Sequence, residues 1–244
     1  FGCMLINNGE ADGMISGLSR NYPDTIRPAL QIIGTEPGVK KIAGMYIMFT
    51  KRGPLFLADT TVNFNPTAEE LAEITLLVAK EVKQFNIKPR IAMLSYSNFG
   101  SSDSPEANLV RRAREIVKEK DPELICDGEV QGILAFNKEI LKENYPFTEL
   151  LDGDVNTLIF PNLAAGNIAY NLLQEVAGTD SIGPILLGLN KPVHVLQLVS
   201  SIRSIFNMVL IAVVDAQIKS KTNTKEVVKQ SKWWKRKTNI PRQI

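Results

Sequence analysis

Short apolar runs alternate along this chain with longer segments in which apolar residues recur every three or four positions. Lys41 to Phe49 and Leu55 to Asp59 predict strands around the turn Lys51-Arg52-Gly53-Pro54. A helix follows, with two overlapping start signals: Asn65-Pro66, and the Thr67…Glu70 capping box. Leu71, Ile74, Val78 and Val82 give it one buried face. Arg90 to Ser95 is a short apolar strand, Asn98 to Ser104 a polar loop, and Ser104-Pro105-Glu106 starts the next helix. Its Arg111, Arg112, Arg114, Lys118 and Lys120 read as a solvated face, with a contact to nucleotide phosphates as the alternative. Leu124 to Cys126 predicts a strand, Asn137 to Glu143 a short helix, and Thr157 to Phe160 a buried strand. Pro161 to Asn167 leads into a helix through Ile168, Leu172 and Val176 that closes near Gly178. Pro184 to Leu189 and Val193 to Leu196 read as core strands, and Ser200 or Ser201 caps a final helix to about Ile218.

That alternation predicts an α/β fold with a mostly parallel sheet. Ligands of such sheets bind outside the carboxyl ends of the strands. Three polar loops qualify: Ser95 to Ser102, Pro161 to Asn167, and Leu196 to Ser201. None carries a GxGxxG or P-loop pattern, so the loops alone predict a ligand cleft of unspecified type.

With 244 residues, 44% of them hydrophobic, the chain is long enough for one large domain or two lobes. No apolar run reaches the roughly 18–20 residues that span a bilayer, and no signal-like apolar core opens the sequence. Cys3 and Cys126 read as bland thiols in a reducing compartment. The net charge of +2 conceals an asymmetry. Upstream of Lys219 there are 19 basic and 25 acidic residues, a balance of −6; nine basic residues and one acid lie from Lys219 onward, a balance of +8. Positive charge is thus a property of the tail, which argues against nucleic-acid binding by the folded body. Trp233-Trp234 lies in that tail, which reads as a solvated extension. The single histidine, His194, excludes a His-rich metal site and reads as an ordinary hydrogen-bonded residue in a short strand.

Several blocks resemble the phosphate acetyltransferase/phosphate butyryltransferase family: Ala11-Asp12-Gly13-Met14-Ile15-Ser16-Gly17, Asp24 to Ile33, Asn65 to Glu69, Met93 to Ser97, Asp127-Gly128-Glu129, Ile159 to Leu163 and Gly183 to Gly188. The likeness runs over about residues 1–217. It implies two three-layer α/β lobes with mostly parallel sheets, related to the isocitrate/isopropylmalate dehydrogenase-like folds. Residues 1–40 would be a remnant of the first lobe, 41–183 the second lobe, 184–218 a return to the first, and 219–244 a basic tail. The N-terminal part of the first lobe is expected to be missing, as in a fragment of a longer polypeptide. The resemblance further implies coenzyme A in the cleft between the lobes and a homo-oligomer formed through the second lobe.

In the transferases a Ser-Arg pair and an Asp base follow the strand that here ends at Leu196. The matching positions hold Gln197, Leu198 and Ser204. Leu198 cannot make a charge-assisted hydrogen bond to phosphate, and the Ser204 hydroxyl is a poor base near neutral pH. No catalytic residue and no metal ligand is therefore expected, and neighbouring Arg203 is a weak substitute. The matched blocks leave Ser16, Arg27, Ser95, Ser97, Asn167 and Lys191 as candidates for binding acetyl-CoA or phosphate, each with a turn, cap or bracing role as the alternative.

Ser97 to Ser102 and Lys191-Pro192-Val193-His194 are most similar to the C-terminal domain of large bacterial malic enzymes. That likeness implies a silent domain that binds acetyl-CoA as an allosteric regulator. It also implies an N-terminal malic enzyme domain of the same polypeptide, with NADP and Mg or Mn, and a cytoplasmic location. No nucleic-acid or membrane partner is expected. An active acyltransferase and a purely structural dimerisation module are the other two readings.

Overall fold

The structure, a computed structural model, describes residues 1–18, 22–197 and 200–238, with side chains placed at 1–18, 23–197 and 200–221. In chain order the elements are α1 (Gly2–Asn7), β1 (Met14–Gly17), α2 (Tyr22–Ile32), β2 (Ala43–Thr50), β3 (Gly53–Ala58), α3 (Ala68–Gln84), β4 (Arg90–Leu94), α4 (Pro105–Lys120) and β5 (Ile125–Val130). They continue with α5 (Gly132–Ala135), α6 (Lys138–Asn144), a 3₁₀ turn at Glu149–Leu151, β6 (Thr157–Ile159), α7 (Leu163–Ala177), β7 (Ser181–Leu187), β8 (Val193–Leu196) and α8 (Ile202–Thr238).

Six strands form the main sheet in the order β5-β4-β6-β3-β2-β7. β3, β6, β4 and β5 are parallel, whereas β2 runs antiparallel to both β3 and β7. Successive side chains of a strand point to opposite faces, and here both faces are apolar. Met45, Ile47, Phe56, Ala58, Ile91, Met93 and Ile159 pack with α3 and α4 through Leu71, Val78, Val110 and Val117. Tyr46, Met48, Leu57, Ala92, Leu158 and Phe160 pack on the other side with Leu141 of α6 and Tyr170 of α7. The result is the mostly parallel α/β sheet that the alternation of strands and helices predicts, in the three layers that the resemblance implies.

Local signals place most boundaries. Thr67 accepts from the Glu70 N–H while the Glu70 carboxylate accepts from the Thr67 N–H, closing the capping box. Ser104 accepts from the Ala107 N–H with Pro105 at the first helical position. Gly178, with φ 57°, ends α7 in the left-handed conformation that favours glycine.

Two expectations are corrected. The strand predicted at Leu124 to Cys126 continues through Gly128 and Glu129 to Val130, because two buried carboxylates on it find ion-pair partners. The final helix does not stop near Ile218; it runs to Thr238, since no Gly or Pro interrupts residues 200–240. Residues before Lys41 also form elements that periodicity did not announce. α1 and β1 are short, and α2 contains Pro28, which reads as a breaker in sequence.

A second, two-stranded sheet pairs β1 with β8 in parallel, with Ser16 opposite Val195. Ile6, Ile26, Ala29 and Ile33 of α1 and α2 cover it together with Leu186, Leu189, Val193 and Val195. β7 crosses residues 183 and 184 as one continuous strand. α8 turns Met208 and Ala212 inward, while Ile202, Phe206, Val209, Leu210, Val213 and Val214 stay exposed on it. Among the described residues, no helix is long and apolar enough to cross a membrane.

Where α8 packs on β7 and β8, charged groups lie near His194. This residue is fully buried, its Nδ1 accepts from the Leu186 N–H at 3.3 Å, and its Nε2 lies 3.9 Å from Asp215. Burial, and then the charge of Lys219, pushes the imidazole down to about 3, so it is neutral. Lys219 meets Asp215 at 3.3 Å and Glu36 at 3.6 Å. Burial, and then the charge of Asp215, raises Glu81 to about 7. Between pH 6.5 and about 3 the unfolded chain binds a proton at His194 that the folded one refuses. Acidification through that window therefore withdraws stability, by up to about 1.4 kcal/mol per pH unit. Glu81 acts oppositely between about 7 and 4.5, where the folded protein holds the extra proton. In thermal melts His194→Gln should gain on the native protein progressively below pH 6.5, and the advantage of Glu81→Gln should be largest above pH 7 and fade toward pH 4.5. Parallel curves for His194→Gln and native protein across pH 4–7 would contradict the buried neutral imidazole.

Candidate functional site

The parallel strands β3, β4, β5 and β6 end on one side of the sheet, and their following loops meet there. The Ser95–Ser104 loop is tied to the end of β5. The Ser95 N–H donates to the Val130 carbonyl at 3.0 Å and the Phe99 N–H to the Glu129 carbonyl at 2.8 Å. The Gln131 N–H donates to Asn98 Oδ1 at 2.8 Å, and the Tyr96 hydroxyl meets that of Ser104.

The centre of this arrangement is Glu129, whose side chain is fully buried. Its Oε1 accepts from the Ser97 hydroxyl at 2.9 Å and the Gly100 N–H at 2.8 Å. Arg111 grips both carboxylate oxygens at 3.1 Å. Burial raises the carboxyl's pKa, but the Arg111 pair and the Gly100 and Ser97 donors outweigh it and hold the group below its ordinary range. Asp127, also buried, accepts from the Thr148 hydroxyl at 2.7 Å and lies 3.2 Å from Arg114 Nε. Lys118 reaches Glu149 at 2.8 Å.

The reading of α4's basic residues as a solvated face is thereby corrected for Arg111, Arg114 and Lys118. They flank the buried stripe and pair with interior or half-buried carboxylates. Arg112 fits the solvated description, with exposed partners Glu115 and Glu119. A sequence signal existed. Residues three apart on a helix share a face, as Arg111 and Arg114 do, whereas Asp127 and Glu129 lie two apart on β5 across an irregularity in its register with β4.

The structure separates the predicted ligand contacts. Ser97 is buried, with its hydroxyl committed to Glu129, and Ser95 Oγ accepts from the Ser97 N–H at 3.2 Å. Asn167 lies on α7 and donates to the Thr60 carbonyl at 3.3 Å. There the two loops touch: a Cβ on neighbouring Gly166 would stand 2.2 Å from the Asp59 carbonyl oxygen, so only glycine allows the approach. Ser16 sits near the carboxyl end of β1 and is half-buried. Lys191 precedes β8, at the opposite end from Gln197, beyond about 13 Å of strand. Arg27 is exposed on α2.

At the start of α8, Ser201 Oγ accepts from the Ser204 N–H at 3.1 Å and meets Ser204 Oγ at 2.9 Å. Ser204 is thus part of a helix cap. Arg203 pairs with Asp180 at 2.8 Å. These residues line a cleft of about 170 Å³ together with Phe49, Gln174, Thr179 and Asn207. Gln197 forms a turn with Ser200, and Leu198 lies outside the described residues.

Comparison with known proteins decides the ancestry. The family model for phosphate acetyl/butaryl transferase matches residues 1–213. The chain belongs to that family. It is 44% identical over 218 residues to an NADP-dependent malic enzyme of Escherichia coli, covering 89% of this chain and 29% of that protein. It is 43% identical over 216 residues to a phosphate acetyltransferase of Bacillus subtilis, covering 88% and 67%. A phosphotransacetylase structure from Streptococcus pyogenes superimposes with a TM-score of 0.83 at 42% identity, covering 91% of this chain and 67% of that one. The chain therefore spans under a third of the malic enzyme and about two thirds of the acetyltransferase. As a phosphate acetyl/butaryl transferase family member it has the fold that the resemblance implied.

The charge clamp yields a test. Arg111→Ala leaves a carboxylate buried without its partner and should destabilise the protein by about 3 kcal/mol. Arg112→Ala, one position along, should leave denaturant and thermal midpoints unchanged. Urea melts of the two variants check the contrast.

Proposed function

We propose that this chain is a phosphotransacetylase-like domain that binds acetyl-CoA without transferring its acetyl group, and that it regulates a malic enzyme domain elsewhere in the same polypeptide. The observation that carries this reading is the state of α8's first turn. At the position that the resemblance assigns to the catalytic Asp, Ser204 offers a neutral hydroxyl already engaged by Ser201. Arg203, the nearest cation, is engaged by Asp180. An unactivated hydroxyl takes up no proton near neutral pH, and loss of one transition-state donor commonly lowers a rate by ~10²–10³.

The rest of the reading follows from the malic enzyme likeness. NADP and Mg or Mn would serve the other domain, which would oxidise and decarboxylate malate, and the protein would work in the cytoplasm. Regulation requires acetyl-CoA to favour one arrangement of the oligomer by about 1–3 kcal/mol. A homo-oligomer through the second lobe would cover Ile168, Leu172, Leu173 and Val176, which α7 exposes. The candidates Ser16, Arg27, Ser95, Asn167 and Lys191 remain open to ligand contact; Ser97 acts on the cleft through Glu129.

A second reading is an active phosphate acetyltransferase, favoured by the 43% identity to the Bacillus subtilis enzyme. Two measurements on the purified protein separate them. Calorimetry should record acetyl-CoA binding, while thioester formation from acetyl phosphate and coenzyme A should stay at background. In the intact polypeptide, acetyl-CoA should change the rate of malate-dependent NADP reduction. Brisk acetyl-CoA formation would establish the transferase instead, and an absence of acetyl-CoA binding would remove both readings.

A further inference from the structure

The amino ends of the parallel strands, on the side of the sheet away from the loops described above, hold a pocket of about 630 Å³ beneath the β2–β3 hairpin. Its size falls within the range of small-molecule sites, roughly 300–1,000 Å³. Leu55, Ile87, Phe136 and Val155 give it an apolar lining. Lys51, Arg52, Arg90 and Lys138 bring four cations to the same lining, against the single carboxylate of Asp154.

The balance of those charges points to a ligand. Lys138 is paired with Asp154 at 2.8 Å. Among the described residues, Lys51, Arg52 and Arg90 have no carboxylate within 4 Å; Asp154, already paired with Lys138, acts on Arg52 and Arg90 only from farther away. Two of the three are also held in place. Arg52 donates to the Phe136 carbonyl at 3.3 Å and lies over the Phe136 ring, 5.5 Å from its centroid. Arg90 donates from Nε to the Asp152 carbonyl at 3.3 Å. The loop beside it turns through Gly153 at φ 144°, where a Cβ would stand 2.1 Å from Arg90 Nε. The chain is thus shaped around a guanidinium that, among the described residues, makes no salt bridge.

We propose that this pocket binds a small amphipathic organic anion. Its apolar or aromatic body would lie against Leu55, Ile87, Phe136 and Val155, and its carboxylate or phosphate would neutralise Lys51, Arg52 and Arg90. None of these residues belongs to the cleft at the carboxyl ends, so this site and the acetyl-CoA reading stand or fall separately.

The test uses octanoate, octyl phosphate and neutral 1-octanol, each titrated into the isotopically labelled full chain while backbone amide shifts are followed. Both anions should give saturable shifts at Gly53, Leu55, Phe136 and Val155, at least tenfold tighter than octanol. The tighter anion identifies the headgroup. The variant Lys51→Glu should weaken the anions at least tenfold with an unchanged melting temperature, and adding Arg52→Glu should weaken them further. On the native protein, raising the salt from 0.05 to 0.5 M should weaken the anions and spare octanol. Shifts confined to the apolar faces of α7 and α8, equal binding of octanol, or indifference to both charge reversal and salt would overturn the proposal.

Discussion

A carboxylate removed from water survives as an anion only where other groups replace its hydration. Glu129 meets that condition through Arg111, Ser97 and the Gly100 N–H, and the geometry of one whole edge of the protein follows. The grip of Arg111 fixes α4 against β5, and the two loop donors fix how the chain leaves β4. Asp127 and Arg114 repeat the device two strand residues and one helical turn away. The loop that would face a ligand is therefore shaped from beneath, by an interior ion pair.

This dependence explains what the sequence could and could not disclose. Both faces of the sheet are apolar, so strand runs such as Arg90 to Ser95 stand out in the hydrophobic pattern. Helix starts were equally plain, because Thr67 and Ser104 act through backbone groups within four residues. Partners far apart in sequence were not plain. Nothing local ties Arg111 to Glu129 or Arg203 to Asp180, and only a folded chain brings them together. α2 was hidden because Pro28 lies inside it, and the extent of α8 because its amphipathic pattern fades well before the helix ends.

The candidate cleft shows the same division. Resemblance located the positions of Gln197 and Ser204, but the commitments of neighbouring side chains emerged only from geometry. Ser97 looked like a ligand contact and is a strut for Glu129. Ser204 looked like a vacant catalytic position and is half of a serine pair that caps a helix. Each hydroxyl carries a local structural duty in the fold.

The chain's lone imidazole, sealed between β7 and α8, has a consequence for the outside of the molecule. With its one histidine buried, the protein shows no imidazole to solvent, and burial raises the carboxyl groups of Asp59, Glu81 and Asp215. A phosphate monoester changes its own charge near pH 6. None of those three carboxyls lines the pocket of Lys51, Arg52 and Arg90, so variation in the capture of such a compound across neutrality would report first the ionisation of the guest.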